Sequence, residues 1–232
     1  MLEQPRTVRE KLNCDESTSF ALSRSFYTSC GKRVVDVLAS ALGIFVLSPA
    51  LIIVACAIKL TSPGPAFYRQ VRIGKQGRPF QILKFRSMVV DLTCSGLGIT
   101  ASGDSRVTRI GKFLRQYKID EVPQLWNVLL GEMSLVGPRP ELPAYVALYT
   151  REQRQVLSAK PGITDPASLA YRHEEKILAE HGNPECFYQM TILPDKLARN
   201  IAYLQQVSFT TDICVIVETL ASVFLPSRSK QA

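Results

Sequence analysis

The chain of 232 residues is long enough for one domain with a sizeable core, or for one domain and a membrane anchor. Lys and Arg outnumber Asp and Glu 28 to 20, a net charge of +8, which points to anionic partners: nucleic acid, phosphorylated substrates or an anionic membrane surface. Six scattered cysteines without a C-x-x-C pair, and only two histidines, argue against a zinc site and a disulfide framework and for reduced, cytoplasm-facing thiols.

Residues 1–30 are polar, with "DESTS" and little apolar periodicity, and read as a flexible tail or a surface helix. Residues 31–60 read as a membrane anchor. From Val37 to Ile58 no residue is charged, and the run matches the ~20 residues that a spanning helix needs. Its position behind a polar tail argues against a cleaved signal peptide. Ser48-Pro49 interrupts it. Proline lacks an N–H and frees the carbonyl four residues back, that of Phe45, so a break is expected; Ser48 can bond a freed carbonyl. Both flanks are basic: Arg24, Lys32 and Arg33 before, Lys59, Arg69, Arg72, Lys75 and Arg78 after. Positive charge is retained on the cytoplasmic side, so a helix-break-helix that enters and leaves by one face satisfies both flanks. A kinked ordinary span is the alternative.

A cytoplasmic domain is predicted over 61–226, with 227–232 as a tail. "SPGPAF" is a turn-rich exit from the anchor. "FYRQVRI", "GKQG" and "RPFQILKFRSM" read as a β-hairpin around a Gly-bounded turn. Residues 91–105, with Gly96, Gly98 and Gly103, read as a mobile loop or a plain surface connection. In "RVTRIGKFLRQYKI", Ile110, Phe113, Leu114 and Tyr117 recur at helical spacing among basic residues. A second helix is predicted from about Asp120 to Leu130, ending at Gly131. "YVALYTREQRQVL" is a third, and "PDKLARNIAYLQQVSF" and "DICVIVETLASVFL" complete a mainly helical C-terminal half. The last segment is too short for a confident span and fits equally a core helix or one lying in the membrane interface. "RIGK" occurs twice without a longer period, and no P-loop, G-x-S-x-G or H-E-x-x-H pattern is present.

Phosphoryl chemistry needs cations, usually a hard divalent metal, and a group that attacks phosphorus. Lys84, Arg86, Arg106, Arg109, Lys112 and Arg115 supply charge. Arg139 stands between Pro138 and Pro140, which stiffen its mount; taken alone this is also an ordinary surface turn. Lys160 in "KPGIT" is similar. Basic residues of this kind would equally serve nucleic-acid binding. In "KIDEVPQLW", Asp120 and Glu121 are adjacent and would point ~100° apart on a helix. Pro123 is tolerated only in a first turn, which places Asp120 near the N-cap. A helix cap alone would explain Asp120. The same position also attracts phosphate and keeps a nucleophilic carboxylate ionised, while Glu121 helps to hold Mg²⁺ or orients the reactants.

"TRIGKFLRQYKIDEVPQLWNVLLGEMSLVGPRPELP", with "KRVVD" and "FQILKFRSM" before it and "KPGIT" after it, resembles the bacterial sugar transferase family, the monotopic phosphoglycosyl transferases, over roughly residues 30–225. The resemblance implies an α+β, mainly helical fold: a re-entrant N-terminal membrane helix broken at Ser48 and Pro49, a small β-hairpin, and amphipathic helices at the membrane interface. It implies transfer of a sugar-1-phosphate from a UDP-sugar to polyprenol (undecaprenyl) phosphate at the cytoplasmic face of the bacterial inner membrane, with release of UMP. The lipid bilayer is then a partner, downstream glycosyltransferases are further candidates, and nucleic acid is not. Mg²⁺ is the implied cofactor, held by Asp120 and Glu121. Asp120 is the implied nucleophile, forming an aspartyl-phosphosugar; Glu121 supports metal and catalysis, and Arg139 and Arg115 bind phosphate. Two departures stand out. "DPASLAYR" follows "KPGIT" where a common family form has glycine and then "WAQVNGR", so Arg172 matches that form's arginine by position only. Glu132 replaces a frequent Asp. The competing readings are a membrane-tethered basic binding module and a catalytically silent scaffold.

Overall fold

The computed structural model describes residues 27–89 and 104–224. The anticipated tail up to residue 26, nearly all of the loop at 91–105 and the segment 227–232 lie outside them. A π-type turn, Tyr27–Gly31, leads into α1, Lys32–Thr61. Pro49 lies inside this helix, which is assigned without interruption. The carbonyl of Phe45, which Pro49 cannot bond, accepts instead from Ser48 Oγ at 2.8 Å. The break expected at Ser48-Pro49 is thus not seen: the helix runs on through the proline, because Ser48 takes up the freed carbonyl. Most of its apolar surface is bare: Leu38, Leu42, Phe45, Val46, Ile52, Ile53 and Leu60 are all exposed.

The remainder is small and mainly helical. β1 (Phe67–Ile73) and β2 (Pro79–Phe85) form the predicted antiparallel hairpin, with Tyr68 opposite Lys84 and Arg72 opposite Phe80. α2 (Arg109–Gln116) is capped by Thr108, whose hydroxyl accepts from Gly111 N. Its apolar stripe divides. Leu114 is fully buried against Ile58 and Phe85, whereas Phe113 and Tyr117 meet each other with tilted rings in the open.

A single 3₁₀ turn, Ile119–Glu121, precedes α3 (Gln124–Leu130), which stops as predicted at Gly131 with φ 86°. The third predicted helix is two short pieces, α4 (Pro143–Ala147) and a 3₁₀ stretch, Gln153–Ser158. Tyr145, Val146, Tyr149 and Val156 are buried in the core there and Leu157 packs against it, so two short turns supply the contacts rather than one long face. α5 (Pro166–Ala170), α6 (Glu174–Ala179) and α7 (Pro184–Phe187) are short connectors. α8 (Leu193–Gln205) and α9 (Phe209–Phe224) follow the sequence reading. One side of α9 buries Asp212 and Val215; Phe209, Ile213, Val217 and Leu220 on it are exposed.

A second pair of strands was not foreseen. β3 (Ser134–Val136) and β4 (Gly162–Thr164) run parallel, three residues each, too short for a period-2 pattern to register. Gly137 and Gly162 let the two backbones meet: a Cβ on Gly162 would lie 2.1 Å from Gly137 N.

Both ends of α1 are fastened to this domain. At its start, Arg33 donates to the carbonyls of Val128 (2.5 Å) and Leu129 (2.9 Å), the C-terminal end of α3 where a cation is favoured. Asp36 accepts from Leu135 N at 3.0 Å, and Lys32 pairs with Asp212 of α9. At its end, Ile58 is fully buried with Ala66, Phe85 and Leu114, and Arg86 donates to Pro63 O and Ser62 O.

Gly162→Ala is expected to destabilise the protein by about 1–3 kcal/mol or more, because neither backbone can yield to the added methyl group. A thermal melt in detergent checks this; an unchanged melting temperature would refute it.

Candidate active site

Three elements meet at the acid pair. β2 supplies Lys84, the 3₁₀ turn supplies Asp120 and Glu121, and the segment after β3 supplies Arg139. Glu121 Oε1 accepts from Lys84 Nζ at 2.8 Å and from Arg139 at 2.7 Å. The Glu121 side chain is 10% exposed, those of Lys84 and Arg139 18% and 31%, so Arg139 is the most open of the three.

Asp120 does not cap the helix, and that expectation is corrected. Lys118 at φ 55° reverses the chain, Asp120 falls inside the 3₁₀ turn, and Pro123 occupies the cap position of α3. The bonds Glu121 N to Lys118 O and Val122 N to Ile119 O use the turn's own carbonyls. The Asp120 carboxylate is thus left out of the backbone ladder. Its Oδ1 is buried without a hydrogen-bond partner, a costly state for a carboxylate.

The two acids are shifted in opposite directions for physical reasons. Burial pushes the Asp120 pKa up to about 6, the Glu121 charge adds to this, and Lys84, Lys118 and Arg115 oppose it. Burial would raise Glu121 as well, but Arg139 and Lys84 hold it well below the usual carboxylate range. Glu121 raises the Arg139 pKa in return. Lys84 is lowered, by burial first.

The other predicted residues are placed variously. Pro138 and Pro140 form the stiff mount anticipated: Pro138 O accepts from Gly162 N at 3.0 Å and Pro140 O from Arg72 at 3.2 Å. Arg115 is close enough to lower Asp120, yet its guanidinium pairs with Glu175. Arg86 is not at the acids. It is buried at the exit of α1, where its Nη1 and Nη2 donate to the carbonyls of Pro63 and Ser62. Arg172 lies half-buried in the turn before α6, and Ser48 and Pro49 lie in α1.

Three residues were overlooked. Asn127 ties α3 to β2, accepting from Leu83 N at 3.0 Å and donating to Gln81 O at 2.8 Å. Gln124, one turn beyond Asp120, is buried with Nε2 unpartnered. Asp165 is fully buried, accepts from Ala167 N and Ser168 N, and adds negative charge beside Arg139. The Asp-Pro-x-Ser cap pattern was the signal for Asp165; nothing in the sequence marked the other two.

Mg²⁺ fits this donor set. It binds through one or two carboxylates, with waters and substrate phosphates completing its shell. Asp120 brings an unpartnered oxygen beside a second carboxylate. Among the described residues no group of three or more His, Cys, Asp or Glu forms a dedicated all-protein cage.

An acid pair amid fixed cations, on a domain carrying an apolar helix, has the layout of phosphoryl-transfer machinery at a membrane. The pattern of the bacterial sugar transferase family matches residues 27–226. The chain belongs to that family and is a phosphoglycosyl transferase. It is 40% identical over 195 residues to a UDP-glucose:undecaprenyl-phosphate glucose-1-phosphate transferase of Caulobacter vibrioides, covering 83% of this chain and 69% of the relative. It is 40% identical over 151 residues to a putative undecaprenyl-phosphate N-acetylgalactosaminyl 1-phosphate transferase of Bacillus subtilis (65% of this chain, 84% of the relative). A UDP-N-acetylgalactosamine-undecaprenyl-phosphate N-acetylgalactosaminephosphotransferase of Aeromonas hydrophila is 36% identical over 202 residues; the match spans 83% of this chain but only 43% of that longer protein.

Because burial raises Asp120, its ionisation opposes folding. That cost is absent below the ordinary Asp pKa and fully present above about pH 6. In metal-free buffer with chelator, Asp120→Asn is therefore expected to melt above the unaltered protein at pH 8, by on the order of 2–3 kcal/mol, and to lose that advantage towards pH 4. A stability difference that ignores pH would contradict the assignment.

Proposed function

We propose that the protein transfers a sugar-1-phosphate from a UDP-sugar to polyprenol phosphate at the cytoplasmic face of the bacterial inner membrane, through a covalent intermediate on Asp120. The observation that carries this reading is the buried Asp120 oxygen without a partner, beside a carboxylate that holds two cations. The relatives' names supply the substrate classes.

In the first half-reaction an Asp120 carboxylate oxygen attacks the sugar-bearing phosphorus. A new O–P bond forms, the bond to the bridging oxygen breaks, and UMP leaves with that oxygen and its electron pair. In the second, a phosphate oxygen of the polyprenol phosphate attacks the same phosphorus. The Asp120–phosphorus bond breaks, polyprenol-diphosphate sugar forms, and the carboxylate is regenerated. Before substrate arrives, Glu121 is the counter-ion for Lys84 and Arg139. A diphosphate then competes for their donors, with Arg139, the more exposed, exchanging first. Asp120 and Glu121 are the residues that would hold Mg²⁺, which supplies charge neutralisation on the diphosphate.

The anchor is read as re-entrant. Arg33 and Asp36 at one end and Ile58 and Ser62 at the other contact the same domain, which supports both ends lying on one face of the membrane. Phe113, Tyr117, Trp126 and Leu130, with the exposed apolar residues of α9, are the surface proposed to lie in the membrane interface.

Purified protein incubated with Mg²⁺, undecaprenyl phosphate and a panel of UDP-sugars is expected to release UMP from at least one donor. No UMP from any donor would favour a binding module or silent scaffold. Asp120→Asn is expected to lose at least about a thousandfold in turnover, and intact mass with donor alone should show a phosphosugar adduct. Full activity in Asp120→Asn would remove Asp120 as nucleophile. Cysteines placed near residues 25 and 65 should both react from the cytoplasmic side in oriented vesicles; protection of only one would exclude the re-entrant path.

A further inference from the structure

Behind the Pro-Arg-Pro turn lies a second charged network, which the reaction above does not use. Arg72 on β1 donates to Pro140 O at 3.2 Å and, through Nε and Nη2, to Gln70 Oε1 at 3.2 and 2.8 Å. Its guanidinium also faces Glu141 Oε2 at 3.7 Å, longer than a hydrogen bond but within ion-pair range. Glu141 is buried. Its backbone carbonyl accepts from Ile73 N at 3.0 Å, and its Oε1 accepts from the Tyr188 hydroxyl at 2.7 Å. Tyr188 belongs to the core formed by Tyr145, Tyr149, Ile192 and Leu197. Burial and the Glu141 charge both raise its pKa, so the hydroxyl keeps its proton and donates.

The purpose of this arrangement follows from charge. Arg139 is near enough to disfavour the protonated form of Arg72, and the Glu141 charge favours the protonated form of both. Arg72 in turn grips the carbonyl that follows Arg139 in the chain, and Tyr188 fixes Glu141 to the C-terminal helical layer. The Arg139 backbone is therefore held from the hairpin on one side and the core on the other. Its guanidinium stays free to exchange Glu121 for a ligand.

We infer that Arg72, Glu141 and Tyr188 are positioning residues that set Arg139 for the donor's diphosphate, and that they act on donor binding through Arg139. The inference rests on reading Arg139 as a ligand of that diphosphate.

UDP serves as the probe, titrated calorimetrically into the full chain in detergent with Mg²⁺. Glu141→Gln removes the charge and keeps the shape, whereas Tyr188→Phe removes only the hydroxyl. Each is expected to weaken UDP by about fivefold or more, the scale of coupling between residues in one network. In an Arg139→Ala background, adding Glu141→Gln is expected to cost less than about twofold, because the group it positions is gone. Two results would overturn the inference while sparing the reading of Arg139: no loss with Glu141→Gln, or the same loss in both backgrounds, the mark of a general structural defect. If Arg139→Ala binds UDP as the unaltered chain does, or if the unaltered chain takes no UDP, the reading of Arg139 fails and the inference falls with it. Thermal melts accompany each titration. A Glu141→Gln protein that no longer folds leaves Tyr188→Phe, alone and with Arg139→Ala, to decide by the same two criteria.

Discussion

The Glu121 carboxylate accepts from Lys84 and Arg139 through a single oxygen, and much of the molecule is arranged around that shared acceptor. An ionised carboxylate is expensive to bury, and two cations are equally expensive to hold close together. Each solves the other's problem, so a hairpin strand, a 3₁₀ turn and the segment after β3 are drawn to one point. Removing one partner of such a buried cluster typically costs about 3–5 kcal/mol. Asp120, one residue away, has no such partner for Oδ1. Neighbours in the chain are thereby divided: one acid keeps the cations in place, the other stays available.

That division depends on backbone geometry rather than on residue type. Lys118 turns the chain at positive φ, and the 3₁₀ turn uses its own carbonyls. Asp120 is consequently not consumed in capping. An α-helix beginning at Asp120 would have given its side chain a backbone N–H to accept from and left it a poorer nucleophile. The cap reading drawn from Pro123 was sound about where a first turn lies and wrong about which residue closes it.

The anchor and the site are mechanically connected. Arg33 closes the C-terminal end of α3, and Asp36 takes Leu135 N at the start of β3. α3 follows directly from the acid pair and β3 leads directly to Arg139, so the base of the membrane helix touches the supports of both. At the other end Arg86, read from sequence as a phosphate ligand, proves to hold the helix exit to β2. The basic residues of this chain thus serve two ends. Lys84 and Arg139 pair with Glu121, while Arg33 and Arg86 satisfy backbone carbonyls where the helix joins the domain.

Much was legible in the chain itself. The uncharged run, the freed carbonyl at Phe45 that Ser48 takes up, the hairpin and the stop at Gly131 all follow from local rules: composition, missing donors and left-handed glycine. What the sequence could not show is what depends on partners distant along the chain. The β3–β4 pair joins segments too short to carry a period. The fate of each arginine depends on which carbonyl or carboxylate lies opposite. The buried roles of Asn127 and Glu141 exist only once β2 and Tyr188 are packed beside them. Local patterning determined most of the elements; tertiary packing alone decided which charges meet, because burial and pairing, not residue identity, set whether a carboxylate or guanidinium is held, spent or left free.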